Sequence, residues 1–399
     1  MPNDRHSLGS QAHDSQKLLP PVSDGLDVLR SDDRTLLKSN AETQSLSSRQ
    51  EARRVVSGTT KQRHKWIDAA RGLAIFLVVF LHATERVSTD SPWYLINEVV
   101  STLRMPLFFM CSGILGAKWV RAAWPDLVAQ KAFFLFWVFL LWQTIFNIRE
   151  VFVGGPVQGN PVLERLVLLA HTPVVPQFEL WFLWALTLFF LVSRLLSRVP
   201  VKAQLALGFA LGIYAFSSLA PHTNLGWEGA MKYYLFFTIG VYCRSALIHL
   251  AEQLNTAKIF LVMAGWLVIA IATNLTGAIY LPGIGVTVRI MGLVAGVGLA
   301  TLAQNLRFIR YLGARTLPIY LAHGTFLTLL LPPALAVSGY LSLPGTAWVL
   351  PVLLTPPAVL ASILLYGVAI KTPARILYMP SNSMTELVRR IVTWASGQR

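Results

Sequence analysis

The chain has 399 residues, 54% of them hydrophobic and 13% charged, with 34 Lys and Arg against 19 Asp and Glu. Soluble domains carry roughly 25% charged residues, so this composition excludes a soluble enzyme with a solvated surface, and equally a disordered chain. The formal net charge of +15 suits either a polyanion-binding surface or a membrane protein with its cations on cytoplasmic loops. Where the charges lie decides between the two.

Residues 1–65 hold eleven Lys or Arg, eight Asp or Glu and no aromatic residue. They cannot bury enough apolar surface to offset the entropy of ordering, and read as a disordered cytoplasmic tail. The tail ends in a basic run, Arg53, Arg54, Lys61, Arg63 and Lys65.

From Trp66 to about Ile370 the chain is a series of apolar runs. A spanning helix needs about 20 apolar residues. The expected spans are 67–84, 93–116, 132–148, 179–196, 203–220, 230–248, 258–275, 285–304, 316–332 and 347–370. Segment 162–171 is too short to cross and is expected to be re-entrant or interfacial. The fold class is therefore all-α: a polytopic bundle of about ten transmembrane helices with both termini cytoplasmic, its domain at 66–370 followed by a tail at 371–399.

With the basic tail inside, alternate loops should be rich in Lys and Arg. The expected inner loops carry Lys118, Arg121, Lys131, Arg194, Arg198, Lys202, Arg244, Lys258, Arg307, Arg310 and Arg315. The outer loops carry Arg86, Arg149, Arg165 and Lys232. Eleven cations against four, in strict alternation, is the positive-inside pattern. The surplus charge thus reports orientation in a multi-pass membrane protein, and no nucleic-acid partner is expected. Cys111 and Cys243 fall within spans. CxxC, HExxH, GxGxxG and Walker patterns are absent, so neither a metal nor a bound cofactor is expected.

Ionisable groups at membrane depth are costly and mark function by default. In the first span, Arg71 and His82 stand eleven positions apart and nearly eclipse at about 100° per residue, with Asp68 three before Arg71. One polar stripe thus crosses an otherwise lipid-compatible helix. Asp68 is about 21 Å from His82 along the axis at 1.5 Å per residue, so a carboxylate for His82 must be Glu85 or come from another helix. On this helix alone, Asp68–Arg71 reads equally well as a packing ion pair and His82 as an interfacial histidine. The second span places Arg104 mid-membrane within Arg104-Met-Pro106-Leu-Phe-Phe-Met-Cys-Ser112-Gly113, where it is expected to line a polar cavity. Pro106 and the Ser-Gly pair are expected to open the helix ladder locally.

Later spans offer Glu179, facing the cavity at the start of the fourth, with Trp181 and Trp184 expected as an interfacial belt. Glu228, Lys232, Tyr233 and Tyr234 read as interfacial anchors at the start of the sixth. Tyr320 and His323, one turn apart in the ninth, are expected to face the interior. His171, His222 and His249 lie in loops or at span ends and receive no role.

Asp68-x-x-Arg71-Gly72-x-Ala74-(x)7-His82 is similar to the opening helix of the membrane acyltransferase-3 family. The Arg104–Gly113 run resembles its second-helix signature in the fucose O-acetylase-like branch. Leu180-Trp-Phe-Leu183 and Leu317-Pro-Ile-Tyr320-Leu-x-His323 resemble two later family motifs, in the expected order. The resemblance covers about 66–370. It implies transfer of an acyl group, usually acetyl from cytoplasmic acetyl-CoA, to a hydroxyl of a cell-surface or exported carbohydrate. That acceptor is a glycan or lipid-linked carbohydrate such as O-antigen, exopolysaccharide or a lipochitooligosaccharide, with a deoxysugar such as fucose favoured. By carry-over, His82 is the catalytic histidine, with Arg71 and Arg104 its companions. Asp68, Lys131, Glu179, Tyr320 and His323 are the expected substrate- or donor-binding residues. One departure stands out: where many members have Arg-x-x-Arg entering the third helix, this chain reads Gln130-Lys131-Ala-Phe-Phe, leaving Lys131 to supply that charge.

The chemistry suits these residue types: an imidazole to accept the hydroxyl proton, a guanidinium for the developing oxyanion, and basic side chains for the phosphates of CoA. The competing reading is a secondary transporter or glycan exporter, which ten spans would also suit. The two halves of the chain show no matching repeat of the kind such proteins carry.

Overall fold

The computed structural model describes residues 64–397, apart from 88–91, 154–160, 222 and 341–344. The expected tail, except for His64 and Lys65, lies outside the described residues, as does His222.

Every regular element among the described residues is helical. In chain order they are α1 (Lys65–Val87), α2 (Tyr94–Val120), α3 (Trp124–Phe152), α4 (Pro161–His171), α5 (Trp181–Leu195), α6 (Val201–Ala215), α7 (Leu225–Tyr242), α8 (Arg244–Gln253), α9 (Thr256–Leu275), α10 (Ile284–Ala303), α11 (Arg307–Ala314), α12 (Thr316–Tyr340), α13 (Thr346–Ala369) and α14 (Asn382–Ala395). Eight of these are long and apolar enough to cross a bilayer: α1, α2, α3, α5, α9, α10, α12 and α13. Their outer surfaces require lipid. On α9, Phe260, Leu261, Val268 and Leu275 are each more than 60% exposed, an arrangement that water would heavily penalise. The chain is a polytopic helical membrane bundle.

Two expected spans differ from simple crossings. The segment at 203–220 forms α6, which ends at Ala215 after 15 residues, about 22 Å of helix at 1.5 Å per residue. The segment at 230–248 breaks at Cys243, where α7 and α8 meet at 83°; counted as one span, the pair raises the total to nine. The third span begins earlier than expected, at Trp124, because a π-helical turn over Val128–Ala132 carries the helix through Lys131. The short segment 162–171 is α4, with Leu163 and Leu166 exposed. Residues after Ile370 fold back onto the bundle. Trp142 donates to the Leu377 carbonyl at 2.7 Å, Tyr378 is buried, and Arg389 of α14 lies 3.5 Å from Asp126.

α1 and α2 form the centre, and two glycine contacts set their packing. A Cβ on Gly113 of α2 would strike the Phe237 carbonyl of α7, and one on Gly240 would strike the Met110 carbonyl in return. Small residues let these backbones approach closely, as membrane helix pairs require. In the same way, Gly72 of α1 faces the Ile309 carbonyl, and Gly313 of α11 faces the Asp68 carbonyl. α2 is one continuous helix from Tyr94 to Val120, and the opening at Pro106 is confined to the bond that its missing N–H cannot make. Proline removes the donor to the carbonyl four residues earlier; that carbonyl, of Thr102, lies against Gly292 of α10. Trp266 secures the same turn by donating to Thr102 Oγ1 at 3.0 Å.

Candidate active site

His82 sits near the end of α1, and its neighbours follow from helical spacing. Nδ1–H donates to Glu85, three residues on, at 2.8 Å, which leaves Nε2 as the basic ring nitrogen. One turn further, Arg86 donates to the His82 carbonyl at 3.2 Å and pairs with Glu179 at 3.1 Å. Glu179 is brought there by a 3-10 turn, Phe178–Leu180, that precedes α5. The turn is entered through Phe178 at φ +53°. A non-glycine residue in this left-handed region costs roughly 1–2 kcal/mol, and here the ring packs against Phe146 at 5.7 Å between centroids.

Arg104 enters from α2. It is 3% exposed and donates to the Leu77 carbonyl of α1 at 3.3 Å, so its charge is held between two helices instead of reaching for a membrane surface. Tyr320 and His323 of α12 close the back. The Tyr320 phenol donates to the Glu179 backbone carbonyl. His323 is fully buried, donates from Nδ1 to the Tyr320 carbonyl at 2.8 Å, and its ring lies 5.3 Å from that of His82.

These groups surround a cavity of about 230 Å³ walled by His82, Glu85, Arg104, Glu179, Trp181, Phe182, Glu228, Lys232, Tyr233 and Tyr320 among others. A second cavity, of about 170 Å³, opens toward the opposite end of the bundle and is lined by Arg71, Ser112, Gly116, Lys131 and Thr316 among others. Phe108, Phe182 and Tyr320 line both. The expected site residues therefore divide: His82, Arg104 and Glu179 in the first cavity, Arg71 and Lys131 in the second, Tyr320 between them. Asp68 lines neither and lies 3.8 Å from Arg71. His323 stands behind His82 without reaching the cavity wall. Lys131 Nζ is 5.0 Å from the Phe190 ring centre, a cation–π contact that holds the ammonium at the cavity edge.

Several residues expected at the membrane interface lie elsewhere. Trp181 belongs to the cavity and Trp184 is buried, so neither forms the expected interfacial belt. Glu228 and Lys232, 3.2 Å apart, are cavity groups and not surface anchors; their i,i+4 spacing of opposite charge was the signal available. Lys232 also borders a third cavity of about 540 Å³, lined by Glu98, Ser217, Ser218, Tyr280 and Arg289 among others. There the Arg289 guanidinium lies 3.9 Å over the Phe216 ring.

A profile described as an acyltransferase domain, acyltransferase-3, matches residues 64–367. The chain belongs to the acyltransferase-3 family. A relative of this family, the inner membrane protein YcfT of Escherichia coli (strain K12), is 21% identical over 286 residues, covering 66% of this chain and 79% of its own. No solved structure matches. As an acyltransferase-3 protein the chain is a multi-pass membrane acyltransferase, and the cavity holding His82 is the candidate place for its chemistry.

Proposed function

We propose that this acyltransferase moves an acetyl group from cytoplasmic acetyl-CoA to a sugar hydroxyl of an exported or surface glycan, with His82 as general base. The observation that carries the reading is the His82–Glu85 bond at 2.8 Å in a cavity shared with the buried Arg104. The hydroxyl oxygen attacks the thioester carbonyl carbon as its proton passes to His82 Nε2. Glu85 stabilises the imidazolium that forms. Arg104, fixed against α1, supplies positive charge near the developing oxyanion. The carbon–sulfur bond then breaks, and the CoA thiolate takes the proton back from His82.

Arg71 and Lys131, at the end of the bundle where the basic loops gather, suit the phosphates and pantetheine arm of CoA. That end is taken as cytoplasmic by the positive-inside rule, which puts His82 toward the far side of an inner membrane. The polar cavity beyond Lys232 offers carboxylate, hydroxyl and guanidinium groups to the remainder of the glycan. The test compares wild type with His82→Ala in the native cell, measuring acetate released from surface glycan by mild base. Loss of the ester in a stably inserted His82→Ala protein is the expected result. Unchanged ester content would overturn the assignment, and loss of glycan export without loss of esters would point to transport.

A further inference from the structure

The reaction proposed above, on which this inference rests, needs a thioester from the Arg71–Lys131 cavity and a base from the His82 cavity. Between them stands a wall of rings. Phe108 and Phe182 stack at 4.4 Å between centroids with an interplanar angle of 11°, and Tyr320 meets Phe182 edge-on at 5.5 Å. Phe108 and Phe182 are each 4% exposed, yet both line both cavities.

The three rings are held unequally. Tyr320 is tied through its phenol to the Glu179 carbonyl. Phe182 is backed by Phe109 at 4.6 Å as well as by Phe108 and Tyr320. Phe108 has ring contacts only with Phe182 and Tyr320 among the described residues. It has the fewest ring partners of the three.

We propose that Phe108 and Phe182 form a septum between donor and acceptor cavities that admits only a short acyl group and keeps water from the thioester until the glycan is bound. The size of the far cavity supports the first half. About 230 Å³ must hold both the acyl group and a sugar ring, which is below the roughly 300–1,000 Å³ of common small-molecule sites. The chemistry supports the second. A base able to deprotonate a sugar hydroxyl will also activate water, whose attack on the carbonyl carbon expels the CoA thiol and yields acetate. A closed apolar partition suppresses that loss.

Two measurements on the full-length protein test this. In nanodiscs with water as the only acceptor, free thiol is followed from acetyl-CoA, butyryl-CoA and octanoyl-CoA. Phe182→Ala and Phe108→Ala are expected to raise acceptor-free CoA release about tenfold and to increase the butyryl-to-acetyl ratio by at least as much, while Phe108→Tyr keeps the wild-type ratio. A protein that turns over acetyl-CoA but shows an unchanged ratio in both alanine variants overturns the septum. Absence of any His82-dependent release, in wild type and variants alike, counts against the acyl-transfer reading instead.

The second measurement does not depend on catalysis. Ser112 lines only the Lys131 side of the wall. In oriented proteoliposomes of a Cys243→Ser background, Ser112→Cys is exposed to a charged, impermeant thiol reagent from each face in turn. Labelling from one face is expected, becoming labelling from both when Phe182→Ala or Phe108→Ala is added. Labelling from both faces without the alanine would show that no septum exists.

Discussion

Glu85 accepts a 2.8 Å hydrogen bond from the Nδ1–H of His82, and both side chains belong to the wall of one cavity. Three residues on a helix subtend nearly one turn, so the pair is built into α1 and needs no other element to assemble. Glu85→Gln keeps the shape and can still accept from the ring, but removes the charge that the proposed mechanism sets against the imidazolium. Acetyl transfer is expected to fall about 10²-fold, at the lower end of what general-base catalysis contributes, with protein level and thermal stability unchanged. A Glu85→Gln protein with wild-type turnover would show that the carboxylate has no part in activating His82.

The Arg86–Glu179 pair ties α1 to the 3-10 turn that precedes α5. The Glu179 side chain is 6% exposed and joins residues 93 positions apart at 3.1 Å. Removing one partner leaves the other charge buried without compensation, a loss of roughly 3–5 kcal/mol for buried pairs. Glu179→Ala and Arg86→Met are each expected to lower the melting temperature in detergent sharply. The double substitution is expected to recover part of that loss. Additive losses in the double variant would mean that the two side chains do not stabilise each other.

The contrast between these two pairs also shows what the linear sequence makes legible. The Asp68–Arg71–His82 stripe and its Glu85 neighbour follow from helical period alone. Arg86–Glu179 does not, because the partner arrives through a 3-10 turn entered at a positive φ, which no periodicity encodes. Glu228 and Lys232 resemble interfacial anchors in sequence because charge at the end of an apolar run looks the same whether it meets headgroups or a cavity. The break between α7 and α8 at Cys243 has no proline or glycine at the break to announce it. The division of site residues into two cavities is invisible for the same reason: it depends on where Phe108 and Phe182 meet.

Gly72 was legible as part of a motif, and the structure supplies its reason. An added Cβ would strike the backbone carbonyl of Ile309, which cannot move without shifting α11. Gly72→Ala and Gly313→Ala are each expected to cost about 1–3 kcal/mol, the usual penalty for overpacking, read as a lower unfolding midpoint. Gly367→Ala, whose Cβ would meet nothing within 4 Å, serves as the control and is expected to be neutral or stabilising by about 1 kcal/mol from helix propensity. Equal midpoints for Gly72→Ala and Gly367→Ala would remove the close approach of α1 and α11 as the reason for the glycine.

Lys131 stands where an arginine pair is common in the family, and its position on a π-helical turn brings it to the same cavity as Arg71. The two cations at one cavity are suited to an anionic donor, and each charge-assisted hydrogen bond contributes about 1.5–3 kcal/mol. Lys131→Met retains the apolar stem that packs near Phe190 and deletes only the charge. Its dissociation constant for acetyl-CoA, measured by calorimetry in nanodiscs, is expected to rise at least about tenfold, since 1.4 kcal/mol corresponds to one decade. Lys131→Arg is expected to hold affinity close to that of wild type. The loss in Lys131→Met should shrink as salt is raised, because it is electrostatic in origin. An affinity that ignores both the substitution and the ionic strength would place the phosphates of CoA away from Lys131 and leave Arg71 as the cation of that cavity to be tested.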